Sequence, residues 1–278
     1  MFSGTISGAA GRPVAYDVHP AERRGSSPAV LILHGFKGFK DWGFFPWLAE
    51  RLAEQGLTAV RINASHAGVG LGSDATEFTR LDLFRRNRPS YELRDLRAVR
   101  AALARGELAG GARVPLERIG FLGHSRGGPI AMLAAADSST APVVTWASVP
   151  TLVWGEAAAA AFEADGVLRV PNARTGQIME LDRTAYDDVV PLPAELDLAP
   201  CLPRIGERLL LVHGEDDPTV PVAAAMKLRD AASGRAHVLR VPGADHVFGA
   251  RHPFTGPTPA LERALAATAE HFREAFFA

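Results

Sequence analysis

A serine hydroxyl attacks a carbonyl only when a base removes its proton and fixed donors receive the oxyanion that forms. Gly123-His124-Ser125-Arg126-Gly127 puts a serine between two glycines, after the apolar run RIGFL and directly before the helical pattern GPIAMLAAA. At such a strand-turn-helix junction the serine occupies a strained turn, and the residues two positions away pass too close for side chains. Pro129 falls in the first helical turn, where its missing N–H does no harm. An elbow of this kind calls for an acid and then a histidine, each after a later strand. Asp217 follows LLLVHGED and precedes Pro218-Thr219-Val220-Pro221, and His246 follows HVLRV in the loop GADHVF. In these roles His246 takes the Ser125 proton and returns it to the leaving group, while Asp217 holds the imidazole tautomer. Asp216 is the competing acid, adjacent in the chain and suited to capping the next helix. Asp245 cannot easily reach round to the ring that follows it, and His252 sits farther from the strand end. His34, His66 and His124 read as structural or pocket-lining. The oxyanion donors are expected to be the backbone N–H of Arg126 and that of Phe36, in the loop His34-Gly35-Phe36-Lys37-Gly38.

Those residues need strand ends to stand on. AVLILHG, TAVRIN, RIGFLGHS, PVVTWASV and RLLLVHG are short and apolar almost throughout, the pattern of strands buried on both faces of a parallel sheet. Between them Pro46–Gln55, Tyr91–Ala104, Gly128–Ala136 and Val222–Ala232 carry apolar residues at helical spacing. This alternation implies right-handed crossovers and an α/β, doubly wound sheet covered by helices. GTI and PVAYDVHP, separated by SGAAGR, predict an antiparallel hairpin on the sheet edge, and Leu261, Leu265, Ala269, Phe272 and Phe276 mark a final packing helix. From about 150 to 203 the alternation breaks, and a connection of that length predicts a cap or lid inserted over one sheet edge within a single domain spanning residues 1–278.

Around the nucleophile, Trp42, Phe44, Phe45 and Trp47 offer either an aromatic wall for an apolar group or anchors for the first helix. Trp42 and Phe44 are carried forward as pocket candidates. His66, in the loop after TAVRIN, joins them, as does Trp154 with 171–177 from the insertion. Arg85, Arg86 and Arg88 read as a solvated loop, and nothing in the sequence aims Arg174 or Arg183. Three roles are open to the Arg126 side chain, tying down the insertion, meeting an anionic substrate or forming a structural ion pair, and the last is favoured.

Composition narrows the class. A net charge of −1 gives no electrostatic reason for nucleic acid or an anionic membrane, and the single Cys201 provides neither a disulfide framework nor a thiolate metal site. No apolar run is long enough to span a bilayer, and the N-terminal stretch lacks a signal-peptide pattern, so a cytoplasmic protein with no membrane partner is the expectation.

The ordered motifs LILHGFKG, GHSRGG, HGEDDPTVP and GADHVF resemble the α/β-hydrolase superfamily, in particular serine hydrolases related to dienelactone hydrolases, acyl-ester hydrolases and prolyl-oligopeptidase catalytic domains. The resemblance implies an eight-stranded, mostly parallel sheet, no cofactor, no metal, and the triad Ser125, Asp217 and His246, and it favours Asp217 over Asp216. It departs in two ways: dienelactone hydrolases use a cysteine where Ser125 stands, and no propeller domain is present to select peptides. The expected activity is hydrolysis of a small carboxylic ester through an acyl-serine. The alternatives are amide or thioester hydrolysis, acyl transfer, or a ligand-binding sensor on the same fold. Acyl group, alcohol and oligomeric state are not encoded legibly.

Overall fold

Because the apolar strands have no polar face, each must be covered on both sides, and the chain does this by winding helices alternately over the sheet. The computed structural model describes residues 1–22 and 27–277. In chain order the elements are β1 (Phe2–Ser7), β2 (Pro13–His19), β3 (Ala29–Leu33), α1 (Phe45–Glu54), β4 (Thr58–Asn63), α2 (Leu81–Phe84), α3 (Pro89–Arg105), β5 (Ile119–His124), α4 (Gly127–Ala136) and β6 (Val143–Trp146). There follow α5 (Glu156–Asp165), β7 (Val167–Pro171), β8 (Ile178–Asp182), α6 (Thr184–Asp187), α7 (Leu202–Ile205), β9 (Leu209–Gly214), α8 (Ala223–Ala231), β10 (His237–Val241) and α9 (Pro259–Phe277). Eight strands form one sheet in the order β1-β2-β4-β3-β5-β6-β9-β10. The expected edge hairpin is present, since β1 pairs antiparallel with β2 and β2 antiparallel with β4, and the remaining pairs are parallel.

Side chains alternate across each strand. Val30 and Ile32 of β3 point with Leu122, Val144 and Val212 toward the core that includes Leu48 of α1 and Phe272 of α9. Leu31 and Leu33 point with Phe121 and Leu211 toward Leu96 of α3, Met132 of α4 and Leu228 of α8. Helix α4 follows directly from β5 and is buried along nearly its whole length.

Strand order reverses between β3, whose chain continues to β4, and β5, whose chain continues to β6. Open parallel sheets bind ligands in the crevice outside such a switch point. The segment between β6 and β9 adds no strand to the main sheet and contains helix α5, a β7-β8 hairpin and two short helices, while its Leu196, Leu202 and Ile205 pack into the same core as Met132 of α4. The sequence pattern had suggested only the alanine-rich helix there. The hairpin is stabilised by burial of Met179 and Leu181, with the αL glycine Gly176 in its turn.

One cluster of charges is buried beneath the loop after β3. Asp17 of β2 pairs across the sheet with Arg61 of β4. Arg61 Nη2 donates to Asp17 at 2.9 Å and Nη1 to Asp41 at 2.5 Å, while Lys40 Nζ lies 2.6 Å from both carboxylates. Arg61 Nε donates to His19 Nε2 at 3.2 Å, and since a guanidinium only donates, His19 must be neutral there. Burial first, then the Arg61 charge, lowers the His19 pKa to about 4. The Lys40 backbone N–H closes the set on Asn63 Oδ1 at 2.6 Å. Two cations and two carboxylates balance only while all four are present. Arg61→Met should therefore lower stability by about 3–5 kcal/mol, the range for breaking a buried ion pair. Urea denaturation checks it, and adding Asp17→Asn should restore part of the loss.

Candidate active site

The site begins with the register of two parallel strands. Leu33 of β3 pairs with Gly123 of β5, so the chain beyond each strand emerges at the same height. Ser125 is the second residue past this level and has φ +53°, a left-handed conformation costly for a residue with a side chain. Its N–H is held by the Trp146 carbonyl at 2.8 Å and its own carbonyl accepts from Gly128 at 3.0 Å. A Cβ on Gly127 would stand 2.5 Å from the His34 carbonyl oxygen, and one on Gly35 would stand 2.8 Å from the Ser125 Cβ. The glycines thus bring the β3 loop into contact with the elbow. Among the described residues neither the Phe36 nor the Arg126 backbone N–H donates a hydrogen bond, and both residues line a cavity with Ser125.

Asp217 and His246 are brought together by the next pair of strands, since Gly214 ends β9 opposite Val241 at the end of β10. His246 Nδ1 lies 2.8 Å from Asp217 Oδ2. A carboxylate accepts, so Nδ1 carries the proton and Nε2 of the neutral ring is the basic nitrogen. Asp217 is fixed on its other oxygen by the N–H groups of Thr219 and Val220, each at 2.8 Å. Asp216 is exposed and its backbone N–H bonds the Ala244 carbonyl, which leaves Asp217 as the acid beside the histidine. Asp245 accepts from the Val247 and Gly249 N–H groups and so shapes the loop, as its position beside the histidine implies.

His213 was not singled out by the sequence. Its Nε2 donates to the Val220 carbonyl at 2.8 Å and lies 3.4 Å from Asp217 Oδ2, with its pKa lowered by burial. His124 has an analogous structural duty. Its Nε2 donates to the His246 carbonyl at 3.0 Å, tying the histidine loop to the elbow, and burial followed by the neighbouring His246 lowers its pKa to about 3. Among the described residues Ser125 Oγ makes no hydrogen bond.

Two cavities meet at Ser125 and His246. One, of about 460 Å³, is walled by Val149, Leu152, Trp154 and Val170, with Phe36 and Arg126 on the elbow side. The other, of about 260 Å³, has Trp42 and Phe45 on its wall together with Asn172 and Arg174. Lys37 borders both and donates to the Pro171 carbonyl of the hairpin at 3.0 Å. A larger groove of about 760 Å³ runs between α1 and α9 and contains none of these residues.

Of the pocket candidates, Trp42 and Trp154 each line one cavity. Phe44 does not: it is fully buried in the core against Phe45 and Trp146, because the start of α1 turns its side chain onto the sheet. His66 does not either, since its ring packs on Tyr91 at 4.7 Å and its Nδ1 meets Ser65 Oγ at 2.8 Å. The basic cluster is more than a solvated loop. Arg85 pairs with Glu180 of β8 at 2.8 Å and Arg88 lies over the Tyr91 ring at 4.0 Å. Arg174 and Arg183 bond the Thr76 and Phe162 carbonyls. The Arg126 side chain makes the expected ion pair, with Glu92 of α3 at 2.5 Å. Among the described residues no group of three or more His, Cys, Asp or Glu side chains is disposed to hold a metal ion, and no helix is long and apolar enough to cross a membrane.

Comparison with known proteins gives a consistent outcome. The model of the alpha/beta hydrolase family matches residues 30–256. No curated protein matches the chain by sequence. Among solved structures, Est1E from Butyrivibrio proteoclasticus is similar with a TM-score of 0.70 at 18% identity, covering 99% of each chain. A dienelactone hydrolase from Anabaena variabilis is similar with a TM-score of 0.61 at 17% identity, over 98% of this chain and 96% of that one. DcsB, solved with a substrate analogue, gives a TM-score of 0.73 at 16% identity over the full length of both chains.

The buried histidines set a direction for acid stability. His19 and His66 have pKa values lowered to about 4, and His124 to about 3, burial being the first cause in each. Each therefore contributes stability that is present above the ordinary value of 6.5 and is lost as pH falls toward these lower values. Asp95 acts oppositely: burial raises it to about 6, so its contribution is full below 3.8 and lost as pH rises through about 6. Three histidines outweigh one carboxyl. The urea midpoint should fall between pH 7 and pH 4.5, and a midpoint that rises over this interval would contradict the assignment of neutral buried histidines.

Proposed function

Since the chain belongs to the alpha/beta hydrolase family, we propose that it is a serine hydrolase of small carboxylic esters, with Ser125 as nucleophile, His246 as general base and acid, and Asp217 as its orienting carboxylate. The observation that carries the reading is the 2.8 Å Asp217–His246 contact on the same crevice as a serine at φ +53°. That contact leaves the His246 Nε2 lone pair available, and the two unengaged N–H groups of Phe36 and Arg126 suit a developing oxyanion.

In the proposed cycle Ser125 Oγ bonds to the ester carbonyl carbon as its proton passes to His246 Nε2. The carbonyl oxygen becomes an oxyanion and accepts from the Phe36 and Arg126 N–H groups. Collapse breaks the carbon–alkoxide bond, and the alkoxide leaves with the proton from His246. Water then repeats the sequence on the acyl-serine, releasing the carboxylic acid and restoring Ser125. Esters suit the two cavities, one for each side of the scissile carbonyl. The apolar walls of the larger favour an alkyl or aryl group, and Trp42 in the smaller offers a ring face. Hydroxycinnamate esters belong in the first panel, because ferulic acid is bound in one structure of Est1E.

Ser125→Ala is expected to reduce hydrolysis of p-nitrophenyl esters on the order of 10⁶-fold, to background, with its unfolding midpoint kept. A fluorophosphonate adduct mapped by mass spectrometry should fall on Ser125, and labelling elsewhere with retained turnover would refute the nucleophile. Asp217→Asn should lower kcat by about 10⁴-fold while Asp216→Asn stays near wild type, and the reverse ranking would reassign the acid.

A further inference from the structure

Arg126 does two things at once. Its backbone N–H is one expected oxyanion donor, and its guanidinium lies over the ring of Phe36, the residue expected to supply the other, with Cζ 4.6 Å from the ring centroid. The ring of Trp154, from the segment between β6 and β9, stands 5.6 Å from the same Cζ, and the Phe36 and Trp154 rings meet edge-on at 5.9 Å. Glu92 fixes the guanidinium from behind at 2.5 Å and is itself held by Asn87 Nδ2 at 2.8 Å. Arg126 Nε and Nη1 are buried with no acceptor among the described residues, so the ion pair and the two ring contacts are what orient this side chain.

We infer, building on the serine hydrolase reading, that the Arg126 side chain is a positioning residue of the oxyanion hole: it locks the Phe36 backbone N–H at its distance from the Arg126 N–H and couples that spacing to Trp154. The energetics favour a geometric duty. A buried ion pair adds little net stability compared with apolar residues of similar volume, whereas it sets position when its partners are rigid. Planar stacking on an aromatic face is a property of arginine that lysine lacks. The Phe36 backbone N–H has no hydrogen-bond acceptor of its own among the described residues. The next residue, Lys37, has φ +57°; the turn is also held by the Gly38–Gly35 backbone bond at 3.0 Å, by His34 Nδ1 on the Gly35 carbonyl at 2.8 Å and by the stack of the Phe36 ring on Phe84 at 5.5 Å, none of which engages the Phe36 N–H itself.

The test uses Arg126→Lys, which keeps the charge facing Glu92 but removes the planar face, and Phe36→Leu, which removes the ring but keeps the N–H. Steady-state kinetics on a short p-nitrophenyl ester and inhibition by a trifluoromethyl ketone, whose serine adduct bears an oxyanion, are measured beside thermal unfolding. Each variant should lose roughly tenfold to hundredfold in kcat, part of the cost of deleting one oxyanion donor, with KM changed less than about twofold and the ketone weakened in parallel. Because both act through one donor, the double variant should be no slower than the slower single one. Wild-type kcat in folded Arg126→Lys, a change confined to KM, or losses that multiply in the double variant would each overturn the inference while leaving the serine hydrolase reading intact. Should Arg126→Lys not fold, Arg126→Met/Glu92→Leu, which buries no unpaired charge, is read by the same criteria. A wild-type protein whose ester hydrolysis is absent, or survives Ser125→Ala, would remove both.

Discussion

Close approach of backbone to backbone at the end of β5 is the constraint from which the rest of the site follows. The elbow at Ser125 holds a left-handed conformation that costs on the order of 1–3 kcal/mol. It persists because its surroundings leave it no alternative: β5 is buried on every residue, α4 on almost every residue, and Gly127 passes where a Cβ would strike the His34 carbonyl. Burial of a single large apolar side chain offsets a cost of that size, about 1.5–3 kcal/mol, and this junction buries several. The same closeness puts the Phe36 loop against Ser125, so strain at one residue and proximity of another have a common origin.

Charge around the crevice is sorted by depth. Histidines enclosed by the core stay neutral and act as directional hydrogen-bond donors or acceptors, as His34 does between the Gly35 carbonyl and the Ala64 N–H. Two sets of buried charges compensate each other, Asp17 and Asp41 with Arg61 and Lys40, and Glu92 with Arg126, whereas the buried carboxyls of Asp95 and Asp217 are held by N–H donors. Both sets touch the loop between β3 and α1. The sheet thereby holds that loop from one side through Lys40 and Asp41, and α3 holds it from the other through the arginine stacked on Phe36.

Much of this was legible in the chain itself. Parallel strands announce themselves by unbroken apolar runs, and Ser125, Asp217 and His246 stand where such runs end, so the sheet and the candidate constellation could be read together. Side-chain direction was not legible. Phe44 and His66 lie in the right loops, yet one turns onto the sheet and the other onto Tyr91. Some partners were also hidden, as for His213, which the turn after β9 folds back onto Asp217 four residues on, and Arg85 with the distant Glu180. One signal was available and unused. In α3, Glu92 and Asp95 occupy the stripe shared with Leu96, Val99 and Leu103, and acids on an apolar face need partners brought by another element. Arg126 is that partner for Glu92, and the Ala9 and Ser65 N–H groups are for Asp95.

The segment between β6 and β9 shares a small core with an earlier part of the chain: Phe162, Met179 and Leu181 pack with Phe39, Phe78 and Phe84. Arg174 and Gln177 seal the hairpin to the backbone at Thr76 and Phe78, and Ser90 binds Asp188 through both its N–H and its hydroxyl. Recombination between relatives is consequently constrained to move two stretches as one module. A transplant of 150–203 alone would bring a foreign apolar underside onto Phe78 and Phe84, whereas carrying 64–90 with it preserves that part of the seam. New specificities on this scaffold are to be sought in paired exchanges of that kind.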